Sequence, residues 1–284
     1  MALDLALFPF NNRSNTAASD EGWVSNTVVN ARAGNDTIIS TNTFNYGIEN
    51  LRGGTINTGV GNDTITSTKR GNWDIINEGT INTGAGNDTI TSRGNIFGIY
   101  NTRTINTGAG RDTITGTSTG VMAMAGIGNE GTINTGAGND TITGNGLIAN
   151  GGTINTGRGN DTITGTGFGL GIYNDGIIDT GSGNDIVDAL QGGFDGSAGT
   201  TNLGSGIDIL KGFGTGTFNG GAGRRDKLRF DEGTYVISGS TVVLFGMTMN
   251  VFEFEKIGGV NGRLFDFRDG TLTVNSDGVA TFTA

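Results

Sequence analysis

The segment Asn57-Thr-Gly-Val-Gly-Asn-Asp63-Thr-Ile65 returns almost unchanged at residues 82–90, 106–114, 134–142 and 155–163. A period of this kind restricts a chain to architectures in which one structural unit stacks on the next. Divergent copies lead in at Asn30 and follow at Asp179, Leu203 and Gly220, so the turn aspartate falls at Asp36, Asp63, Asp88, Asp112, Asp140, Asp161, Asp185, Asp208 and Asp226. The intervals are 27, 25, 24, 28, 21, 24, 23 and 18 residues. Each interval reads as one coil, with a loop at one corner absorbing the differences in length.

Within a coil the apolar residues are few but regularly placed. Thr153-Ile154-Asn155, Thr162-Ile163-Thr164 and Gly171-Ile172-Tyr173-Asn174 each set one Ile between outward-facing neighbours, the period-two signature of a strand. A single coil cannot enclose its own Ile residues, whereas stacking at the ~4.8 Å strand spacing aligns Ile65, Ile90, Ile114, Ile142 and Ile163 into an interior column. Parallel columns follow from Ile56, Ile81, Ile105, Ile133 and Ile154, and from Ile48, Ile75, Ile99, Ile127 and Ile172. The expected fold is all-β: a right-handed parallel β-solenoid (β-helix) with three short strands per coil and a triangular section. Asn50, Asn77, Asn101, Asn129, Asn150 and Asn174 recur at the third corner, where stacked amides form a ladder. The chain divides into an N-terminal cap (1–26), the solenoid (27–226) and a β-rich C-terminal cap or small domain (227–284), in which denser apolar alternation replaces the Gly-rich pattern.

Composition narrows the chemistry. Gly is abundant, with 55 residues, but a single Pro and no three-residue period exclude collagen. The net charge of −10 and the lack of a basic run argue against nucleic acid and favour cations as partners. The absence of Cys and His removes disulfides, the usual zinc sites and every His-dependent mechanism. The opening ten residues lack a basic stretch before their apolar run and are too short to span a bilayer, so neither a signal peptide nor membrane insertion is expected. Arg111 and Ile207 replace the Asn that precedes Asp112 and Asp208, and Arg224-Arg225 crowd Asp226, which marks those three turns as atypical.

Stacked coils place the aspartates in a file, where adjacent carboxylates repel by ~1 kcal/mol in water and several-fold more at reduced dielectric. The flanking Gly-x-Gly pairs, Gly59 and Gly61, Gly84 and Gly86, Gly136 and Gly138, Gly157 and Gly159, Gly181 and Gly183, let turn carbonyls swing toward a bound ion. An all-oxygen donor set of carboxylates and carbonyls suits Ca2+. Thr83-Gly-Ala-Gly-Asn-Asp88-Thr-Ile-Thr91, with Thr for the first Gly, and Gly220-Gly-Ala-Gly-Arg-Arg-Asp226, with one inserted residue, resemble the GGxGxDxUx nonapeptide of RTX (hemolysin-type) calcium-binding repeats. The resemblance spans residues 30–228 and implies calcium cradles between adjacent coils and type I secretion to the cell surface or exterior without an N-terminal signal. Family members set nonapeptides in tandem with ions on both edges; here one corner per coil carries the motif, so a single ion column is expected.

The expected function is non-catalytic: a secreted surface, matrix or adhesion component whose partners include carbohydrate, a cell surface or further copies of itself. Two other readings come from the outward faces and from the architecture. The Thr64/Thr66, Thr89/Thr91, Thr113/Thr115, Thr141/Thr143 and Thr162/Thr164 pairs, and the parallel Thr55/Asn57 series, are similar to ice-binding arrays. Some β-helices are polysaccharide-active enzymes, but no acid pair stands apart from the turns, and Trp23 and Trp73 are isolated aromatics more suited to packing.

Overall fold

A computed structural model of the chain describes all residues except 1, 2, 5–7, 12, 20–22, 42–45, 69–71, 121–123 and 197. It is an all-β parallel solenoid of about eight turns, with coils of roughly 24 residues and three strands per turn. The coil containing Trp73–Asn77, Thr80–Asn82 and Thr89–Gly94 represents the rest. Each of its strands pairs in parallel with its counterpart one coil before and one coil after. The three resulting sheets are named here by their sequences: the Thr-Ile-Asn sheet, the Thr-Ile-Thr sheet, and the Asn-ladder sheet that includes Trp73–Asn77.

Register is set by the isoleucines. Ile56, Ile81, Ile105, Ile133 and Ile154 align in one sheet and Ile65, Ile90, Ile114, Ile142 and Ile163 in the next, all without solvent exposure. A slip of one residue would turn each of these side chains into solvent, at roughly 1.5–3 kcal/mol apiece. The third column contains Ile148 between Ile127 and Ile172, a member that the shortened strand Ile148–Asn150 hides from a pattern search. Coil lengths vary where the loop leaves the Thr-Ile-Thr strand. By contrast, the segment joining the Thr-Ile-Asn strand to the Thr-Ile-Thr strand has the same length at 58–63, 83–88, 107–112, 135–140 and 156–161.

The expected amide ladder is present. Asn50 Nδ2 donates to Asn77 Oδ1 at 2.7 Å, and the chain of bonds continues through Asn101, Asn129, Asn150 and Asn174 at 2.7–2.8 Å. These buried amides also bond strand carbonyls such as Thr104 O and Thr132 O, so the ladder closes the corner and satisfies polar atoms that burial would otherwise penalise.

At the start of the stack Leu3–Asp4 pairs in parallel with Trp23–Val24, and Phe8 lies edge-on to Trp23 at 6.4 Å. The remainder of the cap expected over 1–26 lies partly outside the described residues. Trp23 is buried and donates its indole N–H to Ile39 O at 2.8 Å; Trp73 packs against Phe97 and Tyr100. At the other end the parallel register continues past residue 226. Lys227–Phe230 pairs in parallel with Lys256–Gly259, and Gly216–Asn219 with Met249–Phe252. Met247–Phe252 also pairs antiparallel with Thr241–Leu244, which hands the solenoid over to an antiparallel meander that includes Gly233–Ser238, Gly270–Val274 and Ala280–Thr283.

Candidate metal centre

The turn between the Thr-Ile-Asn and Thr-Ile-Thr strands carries the candidate site. Gly59 and Gly61 have φ of +107° and +141°, and the same pair of positive values recurs at Gly84/Gly86, Gly136/Gly138, Gly157/Gly159 and Gly181/Gly183, as well as at Gly108/Gly110. Conformation is only half of the requirement. A Cβ on Gly86 would lie well inside van der Waals contact of the Gly61 carbonyl oxygen, because stacking lays each turn glycine directly over its predecessor. The residue between the glycines forms a bridge of its own from coil to coil, from Ala33 through Val60, Ala85, Ala109 and Ala137 to Ser205.

All nine aspartates are brought into one file, and all are buried, with exposures of 0–1%. Each carboxylate reaches back one coil. Asp63 Oδ1 accepts the Asp36 N–H at 2.7 Å, Asp88 Oδ1 accepts that of Asp63 at 2.8 Å, and the pattern repeats without a break to Asp226, whose Oδ1 accepts the Asp208 N–H at 2.7 Å. The preceding Asn reaches the opposite way: Asn62 Oδ1 accepts the Asn87 N–H at 2.8 Å, and Asn35, Asn87, Asn139, Asn160 and Asn184 act alike. The Asn-Asp dipeptide therefore staples each turn to both neighbours and satisfies two backbone donors that a tight turn leaves without partners.

The file is capped at both ends by residues that the repeat pattern does not reveal. Asn15, in register before Asp36, donates its N–H to Asp36 Oδ1 at 2.7 Å, and Ser14 Oγ accepts the Asn35 N–H. Glu255 occupies the aspartate's place in the last parallel rung, where its Oε2 accepts both the Arg225 and Asp226 N–H groups at 2.8 Å. The only sequence signals were positional: Asn15-Thr16-Ala17 and Glu255-Lys256-Ile257 echo Asp-Thr-Ile. The three atypical turns keep the aspartate bond intact at Asp112, Asp208 and Asp226. Among the described residues no ion pair joins Arg111, Arg224 or Arg225 to the file.

One oxygen per coil is left over. The Oδ2 atom of every one of the nine aspartates is buried without a hydrogen-bond partner. Beside it sits a residue missed by the sequence reading, the Thr that stands where the RTX pattern has its first Gly. Thr58, Thr83, Thr107, Thr135, Thr156 and Thr180 are fully buried, and each hydroxyl lies against its own coil's carboxylate while donating to a carbonyl of the next coil, Thr58 Oγ1 to Thr83 O at 3.2 Å. The one proton of that hydroxyl has two claimants, so the Thr does not discharge the aspartate.

Burial is the main force on these acids. It raises Asp88, Asp140, Asp161 and Asp185 from 3.8 to about 6 and Asp208 to about 7, with neighbouring carboxylates adding to the rise and the backbone N–H bonds offsetting part of it. Asp63, Asp112 and Asp226 move in the same direction for the same first cause.

The donor chemistry fits a hard divalent cation: an orphaned carboxylate oxygen in each of the nine turns, joined in six of them by a Thr hydroxyl oxygen, in a chain without His or Cys. Among the described residues no three acidic side chains converge. An ion held between two coils would therefore draw on the carboxylates of adjacent turns, and backbone carbonyls would complete its shell. No family model, curated protein or solved structure matches this chain.

Proposed function

We propose that the chain is a non-catalytic, calcium-stabilised display scaffold whose Asp file takes up a column of Ca2+ and whose outer faces present regular hydrogen-bonding surfaces outside the cell. One observation carries the reading: nine buried carboxylates in register, each with one oxygen bonded to backbone and the other left with no hydrogen bond beyond a share, in six turns, of a Thr hydroxyl already given to a carbonyl. A file of charges at the ~4.8 Å strand spacing repels by ~3–4 kcal/mol per adjacent pair at an effective dielectric of 20. A divalent ion shared between coils removes that repulsion and satisfies the spare oxygens together. Extracellular calcium modules work at about 0.1–1 mM. At that affinity the file fills outside a cell and stays empty in the cytosol, which couples folding to export. The test is far-UV circular dichroism and thermal unfolding of the purified chain in chelator and in millimolar CaCl2. Identical spectra and midpoints in the two buffers contradict the reading.

A second reading concerns the Thr-Ile-Thr sheet. Thr64/Thr66, Thr89/Thr91, Thr113/Thr115, Thr141/Thr143 and Thr162/Thr164 stack in unbroken register, presenting two parallel rows of hydroxyls and methyls on a strand lattice. Such a lattice is the kind of surface that orders ice-like water, and thermal hysteresis of the purified chain tests it. No hysteresis at high concentration rejects this reading and leaves the first untouched.

A further inference from the structure

We infer that the Thr-Ile-Asn sheet is a binding surface for one extended chain of a neutral, equatorially linked polysaccharide lying parallel to the solenoid axis. The surface carries a shallow, open groove. Its two outward columns form rails about 7 Å apart, two residues along a strand, and between them runs a trough of about 490 Å³ lined by Thr55, Thr80, Thr104 and Thr132 on one side and the Asn series from Asn57 to Asn134 on the other. No charged side chain lines it, in a molecule with a net charge of −10, so the ligand it suits is uncharged.

The Asn rail is held rigid by its own bonds. Asn82 Nδ2 donates to Asn57 Oδ1 at 3.0 Å, Asn106 to Asn82 at 2.8 Å and Asn134 to Asn106 at 3.0 Å, all in one direction. An amide has two N–H donors, so each Asn spends one on the rail and keeps the other for a ligand. Opposite, the hydroxyls of Thr55, Thr80, Thr104 and Thr132 bond to no other described side chain or backbone group and are free as donor and acceptor. Every coil thus offers the same hydroxyl and amide across the trough, and the offer repeats at the strand spacing of ~4.8 Å. Residues of an equatorially linked hexopyranose chain advance by a little more than that distance and turn over at each step, so every second sugar presents the same edge to groups two coils apart.

Because the amides are already fixed, binding costs little side-chain entropy. The polar rail also has defined ends: the Thr column gives way to exposed Val28 at one end and exposed Ile177 at the other.

The test uses the full chain in calcium-containing buffer, with microcrystalline cellulose and chitin as sedimentation probes and cellohexaose and chitohexaose in calorimetry. The paired substitutions Thr80→Arg and Thr104→Arg block the trough from outward positions, and Thr89→Arg with Thr113→Arg provides the same change on the neighbouring sheet. The expected result is that the wild-type chain sediments with at least one polysaccharide, that the trough variant loses about tenfold or more in affinity, and that the neighbouring-sheet variant retains it. The hexaoses report which sugar is preferred. Failure of the wild type to bind either polymer, or equal binding by the two variants, overturns the inference; so does inhibition of ice recrystallisation that the trough variant alone loses, since that assigns the face to ice. Calcium titrations of the same proteins keep this outcome separate from the fate of the Asp file, because neither pair of substitutions touches a turn.

Discussion

Replacing Asp140 by Asn separates the two tasks of the turn carboxylate. The amide keeps the shape and the Oδ1 acceptor that holds the Asp112 N–H at 2.8 Å, and it exchanges the orphaned Oδ2 for an uncharged group. In the absence of calcium the wild-type carboxylate, raised from 3.8 to about 6, must be kept ionised at pH 7.5 in a buried place. That shift corresponds to at most ~3 kcal/mol of lost stability, and to about 1–2 kcal/mol once solvent screening is allowed for. Asp140→Asn therefore stabilises the chelated protein by about 1–2 kcal/mol. On the proposed calcium file the sign reverses in millimolar CaCl2, because the variant would lack one ligand of an ion shared with a neighbouring coil. Asp140→Ala is the companion: it leaves the Asp112 N–H without its acceptor and destabilises by about 1–3 kcal/mol in both buffers. Urea denaturation of the three proteins, each with EDTA and with calcium, reads all six values. If Asp140→Asn lowers stability equally in both buffers, the carboxylate acts only as a hydrogen-bond acceptor and the electrostatic reasoning is refuted.

The chelated protein loses stability as pH rises. The folded state holds protons that the unfolded chain releases near 3.8, so destabilisation builds between about pH 4 and pH 7 as Asp88, Asp140, Asp161, Asp185 and then Asp208 ionise, and calcium restores what is lost; thermal midpoints across that range check it. Glu255→Ala frees the Arg225 and Asp226 N–H groups and lowers stability by about 1–3 kcal/mol, whereas Glu255→Gln preserves most of it, as denaturant midpoints will show. Gly86→Ala sets a Cβ against the Gly61 carbonyl at a φ of +142° and is expected to cost more than ~3 kcal/mol, visible as poor expression or a collapsed thermal midpoint. Asn101→Ala cuts the inner amide ladder, leaving Asn77 Nδ2 with only its bond to Thr104 O, and lowers the midpoint by an amount corresponding to about 1–3 kcal/mol.

Much of this architecture was legible because the repeat leaves little choice. Once Ile56 and Ile81 are placed in equivalent strands, the interior columns, the Asn corner and the file of aspartates follow from stacking alone. The rest depends on bonds between coils that no single repeat contains. Asn62 reaches forward while Asp63 reaches back, and nothing in an Asn-Asp dipeptide reveals that division. Thr58 looked like a deviation from a glycine pattern; in three dimensions it is a buried hydroxyl set against a carboxylate. Glu255 and Asn15 were hidden because they end the repeat and so differ from it in type. The continuation of the parallel register to Lys256–Gly259 was masked by the intervening meander, whose dense apolar alternation reads as a separate unit. Ile148 escaped because its strand is shortened.

Whether the nine spare oxygens hold metal is decided by counting ions. Protein dialysed against calcium buffer and analysed by mass spectrometry for bound metal, alongside calorimetric titration of the chelated chain, is expected to show several Ca2+ per molecule, falling by one or two in Asp140→Asn. A chain that folds fully and yet retains no calcium would mean that protons or solvent neutralise the file, and the scaffold described above would stand without its metal.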